Sequence, residues 1–371
     1  MSERKNNTIH EPLFHLTKRS SFPGWAAWIV RLLAIAVGFI VCGLVAYILI
    51  EDNKKKPQDL MEFFEKFFTS FYNGSFKLNA TASRRYNRIW EFFRDTAIIQ
   101  CIALAVTPAF RMRFWNIGAE GQFVVGSLAA AVVGICLDLP PVIHVLACAL
   151  AAMLAGALWG TIVAVLKVKK GINEVLSYIM FNWIAYYLSN FMVDTEFLHN
   201  EGNAEATKDI VKSASIICPD FITSLTECKN TNWGIVIAIV AAIIIWFIIS
   251  KTTLGFQLRA VGFNKNAAEY GGINSNAAVM KAMAISGAMA GLGGMVQLCG
   301  MGSRISQFSG QEGFGLEGIT VALIASSNPI GCIFSGIFYG MMKYGGTKLT
   351  LINAPSEVID IIMGVIVLFI A

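Results

Sequence analysis

The stretch Phe114-Trp115-Asn116-Ile117-Gly118-Ala119-Glu120-Gly121-Gln122 decides how this chain folds, because it sets one carboxylate and two side-chain amides between long apolar runs. An ionisable side chain is costly to bury in lipid, so its presence there marks a functional site by default. The glycines let the backbone leave helical geometry and turn polar groups toward a cavity, as broken helices do in transporters. The stretch therefore predicts a protein that moves a solute across a membrane.

The composition of the 371-residue chain agrees with this interpretation. Hydrophobic residues make up 56% of it, charged residues 14%, and the mean hydropathy is +0.61, whereas soluble domains carry about a quarter charged residues. Several apolar runs are long enough to cross a bilayer, which takes about 20 residues. We expect one polytopic domain surrounded by lipid. The net charge of +5 does not indicate a nucleic-acid partner, because lysines and arginines beside spans usually report orientation.

The apolar runs predict an all-α polytopic membrane fold with about eight to ten transmembrane helices, some of them broken or re-entrant. No pattern typical of strands is visible. Residues 302–328 are rich in glycine, serine and glutamine, which favours a re-entrant segment shielded by protein. The apolar segments lie roughly at 25–50, 96–110, 123–137, 142–166, 172–193, 233–250, 280–300, 319–342 and 356–371.

Lysines and arginines beside the spans predict the orientation of a single transmembrane domain over residues 25–371. The basic connection over 251–280 is expected in the cytoplasm, the acidic 194–231 loop outside, and the N-terminal tail 1–24 in the cytoplasm. The charged connection over 51–95 does not follow this alternation. Its phenylalanines recur at helical spacing, which suits a helix lying on the membrane surface and equally a helix packed on the protein.

The eight cysteines and four histidines have no metal-site spacing, so we expect no metal. Most of the cysteines lie in apolar segments, where the simplest interpretation is that they are small packing residues. Cys218 and Cys228 instead flank a polar loop. They can form a disulfide if that loop faces an oxidising compartment.

Polar residues in other apolar segments allow two interpretations each. Asn173 follows three lysines, where an asparagine is typical of a helix N-cap, and Glu174 is then favoured in the first turn by the helix dipole. We prefer this interpretation to a place on a solute pathway. Asn182 lies deeper, where it hydrogen-bonds between helices or faces the pathway. Glu317 again sits beside glycines, and Asn328-Pro329 favours a helix start or break that lines a cavity.

The segment 253–273 lies between two expected spans. Asn266 and Glu269 have the spacing of a capping box, and Gly271 or Gly272 suits a left-handed C-cap. We expect a short helix, which either transmits force from a partner protein or serves as a plain amphipathic connector.

A run of small residues in the next span predicts close helix packing. Gly287 and Gly291 are four residues apart, as are Ala290 and Gly294. Small residues at this spacing let neighbouring helices approach each other closely.

In this order, the stretches 116–122, 171–182, 259–273, 286–294 and 315–331 resemble the permeases of ABC importers. The family is that of branched-chain amino acid, ribose and simple-sugar permeases. The strings Asn116-Ile117-Gly118-Ala119-Glu120-Gly121-Gln122 and Asn328-Pro329-Ile330-Gly331 are most similar to its nucleoside-uptake branch. The resemblance covers roughly residues 96–345 and leaves the N-terminal region and the 194–231 loop unexplained.

The resemblance implies a non-catalytic subunit of the cell membrane that imports nucleosides by alternating access, with simple sugars of the ribose or galactose type as the alternative. It implies a second, related permease chain, an external substrate-binding lipoprotein and a cytoplasmic ATPase that binds ATP and Mg²⁺. This chain has no GxxxxGK[ST] loop, so we expect it to hold no cofactor of its own.

The resemblance also assigns roles to residues, with 259–273 as the coupling helix. The residues expected to couple to the ATPase are Arg259, Gly262, Asn264, Ala267, Ala268, Glu269 and Gly272. The residues expected along the solute pathway are Asn116, Glu120, Gln122, Asn173, Glu174, Asn182, Glu317 and Asn328. The residues expected in helix packing are Gly287, Gly291 and Gly294.

A rival hypothesis is a secondary transporter in which Glu120 or Glu317 carries a coupling proton, since buried carboxylates do serve proton relays. An integral-membrane enzyme has little support, because the chain contains no His-rich cluster, no GxSxG serine elbow and no HExxH motif.

Overall fold

The computed structural model describes residues 60–75, 82–200, 202–226, 231–346 and 360–365, with isolated positions between 29 and 48. Helices dominate these residues, so the predicted all-α polytopic fold is confirmed. The bounds in chain order are α1 Leu60–Ser75, α2 Ala82–Arg111, α3 Ala119–Cys136, α4 Pro141–Lys170, α5 Glu174–Val193, β1 His199–Asn200, β2 Asn203–Thr207, α6 Asp220–Thr226, α7 Gly234–Lys251, α8 Thr253–Phe263, α9 Lys265–Tyr270, α10 Ser275–Gln297, α11 Phe314–Ile324 and α12 Pro329–Gly346.

Five helices of the described part are long and apolar enough to cross a membrane, and a sixth span is present if the bent pair α11–α12 counts as one. The five are Trp90–Arg111 within α2, then α3, α4, α7 and Ser275–Gly302. Helix α5 is 20 residues long but is not among them, because serines and asparagines interrupt its apolar sequence. The spans expected over 25–50 and 356–371 lie mostly outside the described residues, so the total of about eight to ten stays a prediction.

Helix α10 lies at the centre and packs against α4, α3 and α2. Lipid tails are as apolar as leucine, so helices in a membrane associate through close van der Waals contact between small residues. A Cβ atom on Gly287 would lie 2.1 Å from the carbonyl oxygen of Gly156, and one on Gly291 would lie 2.1 Å from that of Ala152. Gly294 approaches α3 in the same way. The three glycines singled out from the sequence thus lie at backbone contacts of α10.

One end of the helix bundle, here called the basic end, carries the α4–α5 turn, helices α8 and α9 and the α11–α12 turn. Lys167 of α4 pairs with Glu174 of α5 at 2.6 Å. At the end of α2, Arg111 donates a hydrogen bond from Nε to the carbonyl of Ser327 at 2.9 Å. Gly262 of α8 packs against the carbonyl of Arg111. These contacts bring the basic connections of the sequence together.

The opposite end, here called the hairpin end, holds a β-hairpin in which His199 pairs with Thr207. The expectation of no strands is therefore wrong. The two strands are short and polar, so they show no alternation of apolar residues. The two strands are also bonded to the rest of the fold, since Thr207 donates its N–H to the carbonyl of Ile305 at 2.9 Å.

Helices α11 and α12 bend by 119° at their junction, as the Asn328-Pro329 pair predicts. Ser326 and Ser327 adopt left-handed φ angles of 51° and 53° there. Glu317 of α11 pairs with Lys343 of α12 at 2.5 Å. Helices α11 and α12 therefore form one bent unit, and the Glu317–Lys343 ion pair joins the two helices.

The predicted 51–95 connection is partly helical. Helix α1 buries Phe63 and Phe67 completely and leaves Met61, Phe68 and Tyr72 exposed. One face of α1 thus packs on the protein, which was one of the two alternatives. From Ala82 onward the chain already belongs to α2.

We predict that Gly287→Ala lowers the thermal unfolding temperature of the purified protein in detergent. The added methyl group would lie 2.1 Å from the carbonyl oxygen of Gly156, so the helices must move apart, at a cost of about 1–3 kcal/mol. Gly364→Ala is the matched control, since its Cβ meets no atom within 4 Å among the described residues. Equal unfolding temperatures for the two variants, measured by tryptophan fluorescence, would contradict the close contact.

Candidate functional site

The loop between α2 and α3 turns back into the bundle. Asn116 donates from Nδ2 to the hydroxyl of Ser286 at 2.6 Å, and that hydroxyl donates in turn to the carbonyl of Ala105. Ala105 lies about 9 Å along α2 from Arg111, at 1.5 Å per residue. Helix α3 therefore begins in the interior of the bundle and not at its surface.

Two buried amides hold this re-entrant loop. Asn116 Nδ2 donates to Gln122 Oε1 at 3.1 Å, and Gln122 Nε2 donates back to Asn116 Oδ1 at 3.2 Å. The N–H of Gly118 also donates to Asn116 Oδ1 at 3.0 Å. Buried polar groups are costly unless they are paired, so these two predicted pathway residues pair with each other in the conformation seen here.

Asn182 of α5 caps α3 from a neighbouring helix. Its Oδ1 accepts the N–H of Gly121 at 2.9 Å, and its Nδ2 donates to the carbonyl of Ile117 at 3.1 Å. The first N–H groups of a helix have no partner within the helix, and Gly118 at the N-cap of α3 offers no side chain. Asn182 supplies the missing acceptor and ties α5 to the re-entrant loop.

Glu120 holds the N-terminus of α11. Its Oε1 accepts the N–H of Gly313 at 3.0 Å, and its Oε2 accepts the N–H of Gly315 at 2.5 Å. The side chain is only 5% exposed. A carboxylate at a helix N-terminus is stabilised by the free N–H groups and by the helix dipole. Glu120 therefore anchors a helix that starts inside the bundle.

The other predicted pathway residues lie elsewhere. Asn173 caps α5 by accepting the N–H groups of residues 175 and 176, and Glu174 pairs with Lys167, both at the basic end. Asn328 caps α12 at the exposed α11–α12 turn. Glu317 sits between α11 and α12. The structure thus brings together Asn116, Glu120, Gln122 and Asn182. It places Glu317 in the first turn of the helix that Glu120 binds and separates Asn173, Glu174 and Asn328 from the cluster.

A cavity of about 570 Å³ opens at the hairpin end, lined by Ser127 and by residues between 297 and 312. This hairpin-end cavity falls in the range of about 300–1,000 Å³ typical of small-molecule sites. Part of its lining is apolar, from Leu298, Met301, Ile305 and Phe308. The rest includes polar or charged side chains, namely Gln297, Arg304, Gln307, Gln311 and Glu312.

A second, inner pocket lies behind it, lined by Glu120, Val124, Asn182 and Tyr186. Its volume of about 10 Å³ is room for about one water molecule. Both spaces are lined by Phe308, Gly310, Gln311 and Glu312. Residues 308–312, here called the dividing segment, therefore form the wall between the cavity and the inner pocket.

Side chains from two helices fix the dividing segment. The carbonyl of Phe308 accepts the hydroxyl of Tyr186 at 2.9 Å and Nδ2 of Asn190 at 3.0 Å. At the other end, Gln297 Nε2 donates to Glu312 Oε2 at 3.1 Å. Burial raises the pKa of the Glu312 carboxyl, and the hydrogen bond from Gln297 opposes that rise.

The residues of this cavity were missed by sequence reasoning, apart from the expectation of a re-entrant segment over 302–328. No regular spacing marks them, because they converge from an irregular stretch and not from one face of a helix. The glycine, serine and glutamine content was the one available signal. Cys218 is buried and Cys228 lies outside the described residues, so their disulfide stays a prediction.

The predicted coupling segment forms two helices and not one. Asn264 has an extended backbone, with φ −156° and ψ 112°, and its Oδ1 accepts the N–H of Ala267 at 3.1 Å. The predicted capping box led by Asn266 is therefore wrong, because the chain breaks two residues earlier. Glu269 instead accepts the hydroxyl of Ser275, and Gly272 has the left-handed φ of 83°.

Several residues expected to meet a partner face the protein itself. Gly262 packs on the carbonyl of Arg111, Ala268 is buried, and Arg259 donates to the carbonyl of Ile249. Asn264, Ala267 and Glu269 are exposed, and the outward face of α8 and α9 combines these and other polar residues with aromatic ones. The aromatic side chains of this face are Phe256, Phe263 and Tyr270, the last 99% exposed.

Comparison with known proteins shows which family this chain belongs to. Residues 88–371 match the family described as "Branched-chain amino acid transport system / permease component". No solved structure matches the chain.

Three relatives illustrate the match. The guanosine ABC transporter permease protein NupP of Bacillus subtilis (strain 168) is 38% identical over 269 residues, which are 72% of this chain and 76% of that protein. The nucleoside ABC transporter permease protein NupB of Lactococcus lactis subsp. cremoris (strain MG1363) is 32% identical over 72% of this chain and 75% of its own length. The glucose ABC transporter permease protein TsgB13 of Haloferax volcanii is 27% identical over 72% of this chain and 71% of its own length.

We predict that Glu120→Gln lowers the unfolding temperature of the protein, which still folds. An amide offers one acceptor oxygen where two N–H groups need one each, and its own NH₂ group faces the second N–H. Loss of a charge-assisted hydrogen bond costs about 1.5–3 kcal/mol. The unfolding temperatures of the variant and of the unaltered protein are compared by thermal unfolding in detergent.

The control for Glu120→Gln is Glu62→Gln, which removes an exposed ion pair with Lys66. Exposed pairs contribute about 0–1 kcal/mol, so its unfolding temperature is expected to stay near that of the unaltered protein. An unchanged temperature for Glu120→Gln as well would show that the carboxylate does not anchor α11.

Proposed function

Because this chain belongs to the family of branched-chain amino acid transport system permease components, we propose that it is the membrane-spanning subunit of an ABC importer that carries nucleosides into the cell. It is a multi-pass membrane protein of a non-catalytic permease family. Two relatives that are more than 30% identical over 72% of this chain are named as guanosine and nucleoside permeases.

We choose nucleosides as the substrate because the hairpin-end cavity has both apolar and polar lining residues. Met301 and Phe308 offer apolar surface, and Gln297, Gln311 and Glu312 offer hydrogen bonds. A nucleoside has the same two parts, a planar base and a ribose that carries hydroxyls. A simple sugar lacks the planar base and would cover less of the apolar part of the lining than a nucleoside does. The cavity therefore favours nucleosides over simple sugars.

The dividing segment suggests how alternating access works in this chain. In the conformation seen here the cavity opens at the hairpin end, and residues 308–312 separate it from the inner pocket. The dividing segment leads directly into α11, whose N-terminus rests on Glu120. Movement of the bent pair α11–α12 would carry the dividing segment along and join the two spaces. A solute from the cavity would then pass toward the basic end.

We infer the orientation of the protein from the distribution of its charges. The basic end would face the cytoplasm, by the tendency of lysines and arginines to stay there, and the N-terminal tail 1–24 would lie on that side. The hairpin end would then face outward, where a substrate-binding lipoprotein delivers the solute. A second permease chain would complete the transmembrane pathway.

The ATPase would dock at the basic end and supply ATP and Mg²⁺ chemistry from its own residues. Support comes from the exposed aromatic side chains of α8 and α9, since exposed apolar clusters mark interaction sites. Phe263 is 79% exposed and Tyr270 is 99% exposed. The inward-facing residues of the segment, such as Gly262, would couple α8 rigidly to α2 and so pass the motion of the ATPase to the bundle.

A proton-coupled mechanism fits the site less well. Both oxygens of Glu120 accept backbone N–H groups, and Glu317 is paired with Lys343. Each carboxylate thus has a role in holding α11 in place.

We predict that cells take up labelled guanosine or uridine through this protein and do not take up labelled ribose through it. The measurement compares uptake in cells with and without the gene. Loss of nucleoside uptake with ribose uptake unchanged is the expected result. Loss of ribose uptake alone would move the substrate to simple sugars and contradict the proposal.

We also predict that Tyr270→Asp abolishes nucleoside uptake while the protein still inserts and folds, because a charge replaces the most exposed aromatic side chain of the docking face. Phe221→Asp is the matched control: Phe221 is 77% exposed on α6, in the loop region of the hairpin end. Co-purification of the ATPase with each variant provides the second readout. Normal uptake and co-purification with Tyr270→Asp would refute docking on α9.

A further inference from the structure

One carboxylate lines the hairpin-end cavity, and it is not among the residues that the sequence singled out. Among the lining residues only Glu312 and Arg304 carry a charge. Within the described part of the chain, Glu312 has a hydrogen bond from Gln297 and no ion-pair partner. It therefore presents to the cavity a carboxylate that forms no ion pair in the described part of the chain, and Lys343 acts on it only from beyond ion-pair distance.

The geometry around Glu312 leaves acceptor capacity for a ligand. A carboxylate has two oxygens and about four positions that can accept a hydrogen bond. Gln297 occupies one position on Oε2 at 3.1 Å, and Oε1 has no partner among the described residues. Two adjacent hydroxyls on one sugar ring can therefore bond to the two oxygens of this one group.

Glu312 is also held in place before a ligand arrives. Its neighbour Gly313 is fixed through its N–H by Glu120 at 3.0 Å, and its own side chain is oriented by Gln297. Binding groups that are already ordered lose less entropy when the ligand binds, which favours affinity and discrimination. The cavity also contains the apolar side chains of Met301 and Phe308, which suit the base of the same ligand.

We propose that Glu312, oriented by Gln297, recognises the 2′,3′-diol of ribonucleosides and makes this permease prefer them to deoxynucleosides. This inference rests on the proposed function, because it concerns the same cavity. Arg304 and the remaining glutamines also line the cavity, and the proposal assigns the discrimination to Glu312 alone.

The test compares how well unlabelled uridine, 2′-deoxyuridine and 2′,3′-dideoxyuridine compete with the uptake of labelled uridine. For the unaltered protein we expect dideoxyuridine to compete about 10-fold to 100-fold less well than uridine, as expected for the loss of hydrogen bonds to a charged group. The competition ratio is the factor by which dideoxyuridine competes less well than uridine. In Glu312→Gln this competition ratio is expected to fall by about 10-fold, since the amide is neutral and has one acceptor oxygen.

Asp209→Asn is the matched control. Asp209 lies at the same end of the bundle, where it accepts the hydroxyl of Ser303 at 3.1 Å, and it does not line the cavity. Its competition ratio is expected to equal that of the unaltered protein. The same binding protein serves all variants, so its own preference cancels when their ratios are compared.

A second variant, Gln297→Met, keeps the size of the side chain and removes the amide that orients Glu312. We expect an intermediate ratio, and this variant decides the matter if Glu312→Gln abolishes all uptake. An unchanged ratio in a variant that still takes up uridine would overturn the role of Glu312 and leave nucleoside import standing. Failure of the unaltered protein to take up any nucleoside would instead refute the proposed function, and the diol preference with it.

Discussion

The contact between the Glu120 carboxylate and the N–H groups of Gly313 and Gly315 is the interaction on which the other features of the interior depend. A helix that starts inside a membrane protein exposes N–H groups that no water can satisfy, and leaving them unpaired is costly. Glu120 satisfies two of them and adds a favourable charge–dipole interaction. The approach is so close that a Cβ on Gly315 would lie 2.7 Å from the backbone nitrogen of Glu120. The start of α11 depends on this anchor, and the dividing segment is held between it and the hydrogen bonds that Tyr186 and Asn190 donate to the Phe308 carbonyl.

The described bundle combines close backbone contacts at its centre with polar contacts at the start of α11. Helices α4 and α10 touch backbone to backbone at Gly156 and Gly287, and such contacts leave little room for gradual adjustment. Helices α11 and α12 also pack closely on α2, where a Cβ on Gly318 would lie 2.5 Å from Ile102, and Glu120 adds hydrogen bonds at the start of α11. Hydrogen bonds and ion pairs can be exchanged between two discrete arrangements, which is the repertoire of conformational switching. Motion for transport is therefore expected in α11–α12 and the dividing segment, with α4 and α10 as the frame.

The sequence predicted those features that the membrane itself imposes. Lipid forces long apolar runs and close packing of small residues, so the spans and the contacts of Gly287 and Gly291 were visible as patterns. The cost of a buried carboxylate drew attention to Glu120 before its partners were known. Features that depend on irregular backbone were not predictable. The cap at Asn264 depends on a local chain break, and the β-hairpin is bonded to Ile305 from a distant part of the sequence. Glu312 lies beside Gly313, which is bonded to Glu120 across 193 residues of sequence.

The most direct test of the Glu120 anchor is the accessibility of a single cysteine at position 124, in protein whose natural cysteines are replaced. Val124 lines the inner pocket and is 7% exposed, so Val124→Cys is expected to resist a membrane-impermeant maleimide when Glu120 is present. With Glu120→Gln added, we expect labelling, because the dividing segment loses its anchor. Ser309→Cys in the hairpin-end cavity should label in both backgrounds, and protein that keeps only Cys101, which is fully buried, should label in neither. Equal protection of position 124 with and without the Glu120 carboxylate would contradict the anchor.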